Sequence, residues 1–259
     1  MDGQLRLRVC ALYPDLMNIY ADRGNLLVLE RRCEWRGIGF ELAASGLGEL
    51  LDADAADLFY LGGGQDRDQR LCAEDLIETK RDGLLGAAAR DAVVLGICGG
   101  YQLLGRSYTL GEEQIEGVGL LDVQTVREDA ARLIGNVAIE VRLDGAPDAT
   151  GDAGEAAGER VLAGFENHGG RTTLGVEQAA LGRVLRGHGN DGRSGLEGAR
   201  SANTLGTYMH GPLLPKNSWF ADWLIATALG IDERELAPLQ DTLEREAHAG
   251  ARRVAGLAA

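Results

Sequence analysis

Basic residues are scarce in this chain. Its 26 lysines and arginines face 40 aspartates and glutamates, for a formal net charge of −14. Nucleic-acid binding rests on a basic footprint that neutralises phosphates, so DNA and RNA are not expected as partners. Cysteine is sparse as well. Cys10, Cys33, Cys72 and Cys98 form no C-x-x-C pair, and none is close in sequence to a histidine, so the common zinc-ligand spacings are absent and no metal is expected. Four cysteines in 259 residues do not make a disulfide framework, which points to a reducing, cytoplasmic setting. No run reaches the roughly 18 apolar residues of a spanning helix. The N-terminal stretch Leu5-Arg6-Leu7-Arg8-Val9 merely alternates, so neither a targeting segment nor membrane insertion is expected. There is also no G-x-x-x-x-G-K-[ST] loop to cradle ATP.

What is present is a globular composition. Hydrophobic residues make up 45% and charged residues 25%, enough for a packed core in one large domain or one domain plus an appendage. Apolar strand-like runs at 5–12, 38–42, 57–61 and 93–97 alternate with helical patterns at 26–36 and 68–90, the latter with a break near Gly83. This alternation predicts a doubly wound, mostly parallel sheet flanked by helices, with its crevice at the carboxyl ends of the strands. After Gly117 short apolar runs dominate, at 118–123, 137–143, 181–185 and 204–209, and this half reads as antiparallel strand. Residues 144–159 read as a mobile surface loop, and 218–229 as a helix capped by Asn217 or Ser218. Residues 5–230 are taken as the domain. Residues 231–259 are taken as a C-terminal tail, helical from Pro238 to Arg253, with a solvated face that includes an exposed His248.

The segment Val93-Val94-Leu95-Gly96-Ile97-Cys98-Gly99-Gly100-Tyr101-Gln102 is the most informative. It reads as a strand, a sharp turn bearing a thiol, and a helix start. Such an elbow pushes a nucleophile into the open at the end of a sheet, where helix amides can lower its pKa and hold an oxyanion. An inert cysteine in a buried βα turn would explain the thiol alone. The surrounding glycines favour the nucleophile. Gly62-Gly63-Gly64, at the end of the preceding strand, could be an ordinary tight turn; paired with Cys98 it supplies the other half of an oxyanion hole, so Gly64 and Gly99 are the candidate donors. A cysteine nucleophile needs a base. His188 lies in a polar glycine turn. His168, in Glu166-Asn167-His168-Gly169-Gly170-Arg171, and His210, in Tyr208-Met209-His210-Gly211-Pro212, both remain candidates. A histidine at a strand end before a Gly-Pro break points into the crevice, which puts His210 first.

Gly96-Ile97-Cys98-Gly99-Gly100-Tyr101-Gln102 resembles the G-x-C-x-G-x-Q pattern of class I (Triad) glutamine amidotransferases, and Tyr208-Met209-His210-Gly211-Pro212 resembles the second motif of their cobyric-acid-synthase-like (CobB/CobQ-like) branch. More narrowly, Tyr13-Pro14-Asp15-Leu16-Met17-Asn18-Ile19-Tyr20, Asp22-Arg23-Gly24-Asn25, Glu166-Asn167-His168-Gly169-Gly170-Arg171-Thr172 and His210-Gly211-Pro212-Leu213-Leu214-Pro215-Lys216-Asn217 are similar to the glutaminase subunits of lipid II isoglutaminyl synthases. The resemblance runs from about residue 5 to about residue 230. It implies Cys98 as nucleophile, His210 as general acid and base, and Arg132 and Gln102 as binders of the substrate L-glutamine, with Arg127 a weaker rival to Arg132. It departs from the broader class at Pro212, where most members carry the glutamate of a Cys-His-Glu triad. That leaves a backbone carbonyl, or a carboxylate from elsewhere such as Glu166 or Asp22, as candidates to orient His210, and a Cys-His dyad can work without one. The resemblance further implies a heterodimer with a MurT-like ligase subunit that carries ATP and Mg, this chain holding no cofactor, and contact with lipid II only through that partner. The product there would be D-isoglutamine in the stem peptide, made for peptidoglycan. Rival readings are a glutaminase for another synthetase such as a cobyrinic acid system, a peptidase-like Cys-dependent hydrolase, or a non-catalytic binding protein on the same fold.

Overall fold

The computed structural model describes residues 5–19, 22–110, 112–141, 143 and 160–258. The expected loop at 144–159 lies outside the described residues. Along the first half run β1 (Arg6–Leu12), α1 (Arg23–Glu34), β2 (Gly39–Ser45), β3 (Leu58–Leu61), α2 (Asp66–Asp75), a π-helical turn (Leu76–Lys80), α3 (Arg81–Ala89), β4 (Val93–Ile97) and α4 (Gly99–Leu104). The second half contributes β5 (Ser107–Leu110), β6 (Glu113–Glu116), β7 (Val123–Arg127), β8 (Leu133–Val141), β9 (Val161–His168), β10 (Gly170–Leu174), β11 (Gly182–Arg186), β12 (Leu196–Glu197), β13 (Ala199–Ser201) and β14 (Thr204–Thr207), then α5 (Leu213–Lys216), α6 (Ser218–Leu229) and α7 (Thr242–Val254).

The central sheet has six strands in the order β13-β14-β4-β3-β1-β2. All its pairings are parallel except β13 with β14. Side chains alternate across it with the two-residue period of a strand. Leu7, Val9, Ala11, Leu58, Tyr60, Val93, Leu95 and Ile97 pack with Leu26 and Leu29 of α1 and Phe220 and Leu224 of α6. Cys10, Leu12, Phe59, Leu61 and Val94 pack on the other face with Cys72, Leu76, Leu84 and Leu103. Near-continuous apolar runs are what a parallel sheet covered on both faces requires. Two four-stranded sheets flank this layer, β10-β7-β5-β6 and β12-β11-β8-β9, antiparallel apart from β5 with β7.

Several expectations shift. The run at 118–123 is not a strand: Val118 and Leu121 are buried in coil, and the strand begins at Val123. The run at 204–209 leaves the antiparallel half and completes the parallel sheet beside β4. The break in the second helical region is the π-turn at 76–80 rather than Gly83. Asn217 does precede α6, but its side chain makes no cap. It spans instead to the backbone of Ala163 and Leu213. The tail is tied down more firmly than its polarity suggests. Ala251, Ala255 and Leu257 lie against Ala138, Val161 and Ala163. His248 is half-buried rather than exposed, its Nδ1 donating to the Lys216 carbonyl at 2.9 Å. Arg32 of α1, buried, forks between Asp222 at 2.5 Å and Asp241 at 2.8 Å, which locks the approach to α7.

Candidate active site

The carboxyl ends of β1, β3, β4 and β14 converge on one crevice. Cys98 sits at the tip of β4 with φ +51° and ψ −103°, a strained conformation for a residue with a Cβ. Neighbouring bonds hold it there. Its amide donates to Thr207 at 2.7 Å, tying β4 to β14, and its carbonyl accepts from the Gln102 amide at 3.1 Å. The turn also needs Gly100, because a Cβ there would collide with the Leu61 carbonyl. Cys98 is half-buried, whereas Cys10, Cys33 and Cys72 are buried. Burial pushes those three thiols up to about 11, 12 and 12, which makes them unreactive near neutral pH.

His210 follows β14 and is fully buried. Its backbone pairs with Phe165, donating to that carbonyl at 2.7 Å. Its ring lies beside Cys98 and Asp22, with Nδ1 3.6 Å from Asp22 Oδ1. Burial opposes the imidazolium, but the interactions with Cys98 and Asp22 outweigh it, and the pKa is raised to about 10. Asp22 stands at the start of α1, where an aspartate ordinarily caps its own helix. Here it does not. Asn18 Oδ1 takes the Arg23 amide at 2.8 Å instead, leaving Asp22 Oδ2 to accept from the Gly63 amide at 2.9 Å. A Cβ at Gly63 would meet Ile19 Cγ2 at 2.6 Å, His210 Cε1 at 3.0 Å and Asp22 Oδ2 at 3.2 Å, so any side chain there would crowd both His210 and Asp22. Of the two carboxylates the sequence offered, the structure places Asp22 against His210.

Glu166 is committed elsewhere. It accepts from the amides of His188 at 2.6 Å and Gly189 at 2.9 Å. His168 is buried beside it, Nε2 3.8 Å from Glu166 Oε2. Its ring stacks on Tyr208 with centroids 3.6 Å apart, and its Nδ1 meets the Gly170 carbonyl at 2.9 Å. Burial lowers its pKa, and it makes no described contact with Cys98.

The Gly64 and Gly99 loops meet: a Cβ at Gly99 would lie 3.1 Å from the Gly64 nitrogen. Two backbone amides are thus brought together beside the thiol, the arrangement that can hold a developing oxyanion. Gln102 is buried, with both ends of its amide paired inside the protein. Its Oε1 accepts from Gln69 at 2.7 Å and its Nε2 donates to Tyr208 at 3.1 Å, so both ends of the amide serve a buried network that continues from Tyr208 to Thr172 and Thr125. Tyr208 stood in the sequence only as the first residue of the motif around His210, with no role of its own, and Gln69 was not singled out, having no local pattern that would have exposed it. Arg132 lies just before β8, exposed, and donates to Asn167 Oδ1 at 2.8 Å and to the Asn167 carbonyl at 2.7 Å. Arg127 pairs with Asp66. Both guanidiniums face Gly169, with Arg132 3.5 Å and Arg127 3.6 Å from where its Cβ would be. The two arginine candidates therefore share one location at the rim. Among the described residues no group of three or more His, Cys, Asp or Glu side chains converges to hold a metal.

Residues 8–218 match the CobB/CobQ-like glutamine amidotransferase domain family. The chain is 36% identical over 225 residues to the GatD subunit of the glutamine-hydrolysing lipid II isoglutaminyl synthase of Streptococcus pneumoniae, covering 86% of this chain and 81% of that one. It is 36% identical over 251 residues to the Staphylococcus aureus GatD subunit, covering 96% and 94%. Among solved structures, PurLQS from Thermotoga maritima superposes with a TM-score of 0.56 at 21% identity, over 87% of this chain and 96% of that chain, a likeness of fold. The family match takes in the Cys98 elbow, the end of β14 and the Asp22 turn together, and the chain belongs to the CobB/CobQ-like glutamine amidotransferases.

Proposed function

We propose that this chain is the glutaminase subunit of a lipid II isoglutaminyl synthase. It hydrolyses L-glutamine and passes ammonia to a separate MurT-like ligase subunit. There ATP and Mg would activate the α-carboxyl of D-glutamate in the lipid II stem peptide for amidation to D-isoglutamine. The observation that carries this reading is the 36% identity over 96% of the chain to a subunit of that name, on a fold that places a thiol against a buried histidine. No described helix is long and apolar enough to cross a membrane, which is compatible with a subunit that meets its lipid-linked acceptor only through its partner, at the cytoplasmic face.

In this reading the Cys98 thiolate attacks the side-chain carbonyl carbon of glutamine. The amides of Gly64 and Gly99 hold the oxyanion, and loss of one such donor costs roughly a hundredfold or more in rate. His210, as imidazolium, gives its proton to the departing ammonia. It then takes one from the water that attacks the thioester, so glutamate leaves and the thiolate returns. Asp22 holds the imidazole by Nδ1 and favours its charged form. Arg132 holds the α-carboxylate of glutamine, as a guanidinium can in bidentate fashion.

The test is glutamate release from L-glutamine by wild type and Cys98→Ser, each alone and with a MurT-like subunit, together with co-purification of the two chains. Release that depends on Cys98 and a stable complex are the expected results. No release under either condition sinks the glutaminase reading; release without any complex sinks the assigned partner.

A further inference from the structure

Behind the Gly62–64 turn lies a buried ion pair that the mechanism above leaves unused. The chain has lysine at positions 80 and 216 only, among 26 basic residues. Lys80 is fully buried on the π-helical turn. Its ammonium donates to Asp75 Oδ2 at 2.6 Å and to the Glu49 carbonyl at 2.8 Å, and lies 4.8 Å from the centre of the Tyr13 ring. Thr79 Oγ1, at 3.2 Å, is a third acceptor, an arrangement that suits a compact ammonium better than the planar fork of a guanidinium. Tyr13, 1% exposed, donates its hydroxyl to the same Asp75 Oδ2 at 2.7 Å, and the Gly48 amide donates to Asp75 Oδ1 at 2.5 Å. Burial works against the Asp75 charge, but these donors more than compensate and its pKa is lowered.

Tyr13 also has φ +50°, the left-handed region that a bulky side chain rarely adopts. Such strain persists where the surroundings over-determine it, and it gathers at functional sites. Its consequence is a tight turn: the Tyr13 carbonyl accepts from Leu16 at 3.0 Å and from Met17 at 2.8 Å. That turn delivers buried Met17 to the oxyanion glycines. A Cβ at Gly64 would collide with Met17 Sδ, one at Gly62 with the Met17 carbonyl, and one at Gly99 would lie 3.2 Å from Met17 Cε. The Ile19 amide then bonds to the Gly63 carbonyl at 3.0 Å.

We propose that Tyr13, clamped by Asp75 and Lys80, is a positioning residue for the oxyanion hole: it sets Met17 as the wall that fixes the Gly64 and Gly99 amides relative to Cys98. This rests on the glutaminase reading. The clamp acts on the oxyanion and not on the thiol, so the two can be separated. Tyr13→Phe keeps the ring and deletes the hydroxyl; Asp75→Asn, a second variant, keeps the shape and removes the charge. Both are assayed in the full chain with its partner for glutamate release, and for alkylation of Cys98 by iodoacetamide, which needs a reactive thiol but no oxyanion hole. The expected result for Tyr13→Phe is a fall of about tenfold in kcat for glutamine, a fraction of the loss of a whole oxyanion donor. KM should be little changed and the alkylation rate should equal that of wild type. Equal kcat in wild type and both variants overturns the proposal, as does a fall in alkylation parallel to the fall in kcat. A wild type that alkylates normally but releases no glutamate overturns the glutaminase reading, and this proposal with it.

Discussion

His210 and His168 are two buried histidines with the same first neighbour. Each has a carboxylate at nearly equal range, 3.6 Å to Asp22 for one and 3.8 Å to Glu166 for the other. Their titrations move in opposite directions. His210 is raised to about 10, and His168 is lowered. Burial opposes the charge on both. The difference is the rest of the shell: His210 adds the Cys98 sulfur to its carboxylate, whereas the Glu166 charge is already spread over two backbone amides and the flat face of His168 lies on Tyr208. A carboxylate beside a histidine therefore does not mark a catalytic dyad by itself. What matters is whether a second negative group needs the proton.

The largest effect expected from breaking this contrast is at His210. His210→Asn should lower kcat for glutamine by about a thousandfold or more, since the proton donor for ammonia is gone. His168→Asn in the same assay should stay within about tenfold of wild type. Comparable losses at both positions would show that the two histidines do not divide as described. Asp22→Asn comes next. It keeps an acceptor for the Gly63 amide but removes the charge beside Nδ1, and kcat should fall by roughly ten- to a hundredfold with KM nearly constant. A rise in KM alone would point to substrate binding instead.

The pH dependence sharpens the same contrast. In the proposed mechanism the imidazolium of His210 protonates ammonia, and with its pKa raised to about 10 that form persists through neutral pH. The alkaline limb of kcat/KM should fall near pH 10, and Asp22→Asn should move it downward. A limb centred near the ordinary histidine value would mean that His210 titrates without help from Cys98 and Asp22.

Glu197 lies under the same strand. Fully buried, it accepts from Thr207 Oγ1 at 2.6 Å and the Tyr208 amide at 2.7 Å. Burial raises its pKa from 4.5 to about 7, the hydrogen bonds opposing and the Glu166 charge assisting. A raised carboxyl contributes stability that is fully present below about 4.5 and is lost as pH rises through about 7. Unfolding by urea should accordingly show Glu197→Gln losing less stability than wild type between pH 5 and pH 8, by roughly 3 kcal/mol at most. Identical slopes would show that Glu197 stays ionised in the fold. The smallest effect belongs to His168: replacing it with Asn removes the stack on Tyr208 and should cost about 1–2 kcal/mol of stability, read in the same unfolding experiment.

The chemistry-bearing elements were legible because each is local. The Cys98 elbow is a strand, a glycine turn and a helix within ten residues, and its geometry follows from sterics that neighbours in sequence impose. The parallel sheet was legible because strands buried on both faces are apolar throughout. The strand at 204–207 was seen but put in the wrong sheet, since a short apolar run has no local feature that says which strand it will pair with. The tail misled because Ala251 and His248 of α7 are partly covered, and Ala255 just beyond it is buried, beneath a polar pattern.

By itself, then, the sequence singled out the candidate nucleophile, the candidate histidines and the layered architecture, all of which rest on residue type and on spacing along the chain. Tertiary structure alone decided which carboxylate reaches His210. Asp22 and Glu166 both stand near glycines in the sequence, but only the packing of the start of α1 against the segment after β14, where Gly24 meets Pro212, carries Asp22 to 3.6 Å from Nδ1, while Glu166 is consumed by two amides of a distant turn. It likewise turned Gln102 into a brace and brought Tyr13, Asp75 and Lys80 together. Charge pairs and hydrogen bonds act over a few ångströms, and groups separated by 62 residues in the chain, as Tyr13 and Asp75 are, acquire that proximity only when the sheet has formed.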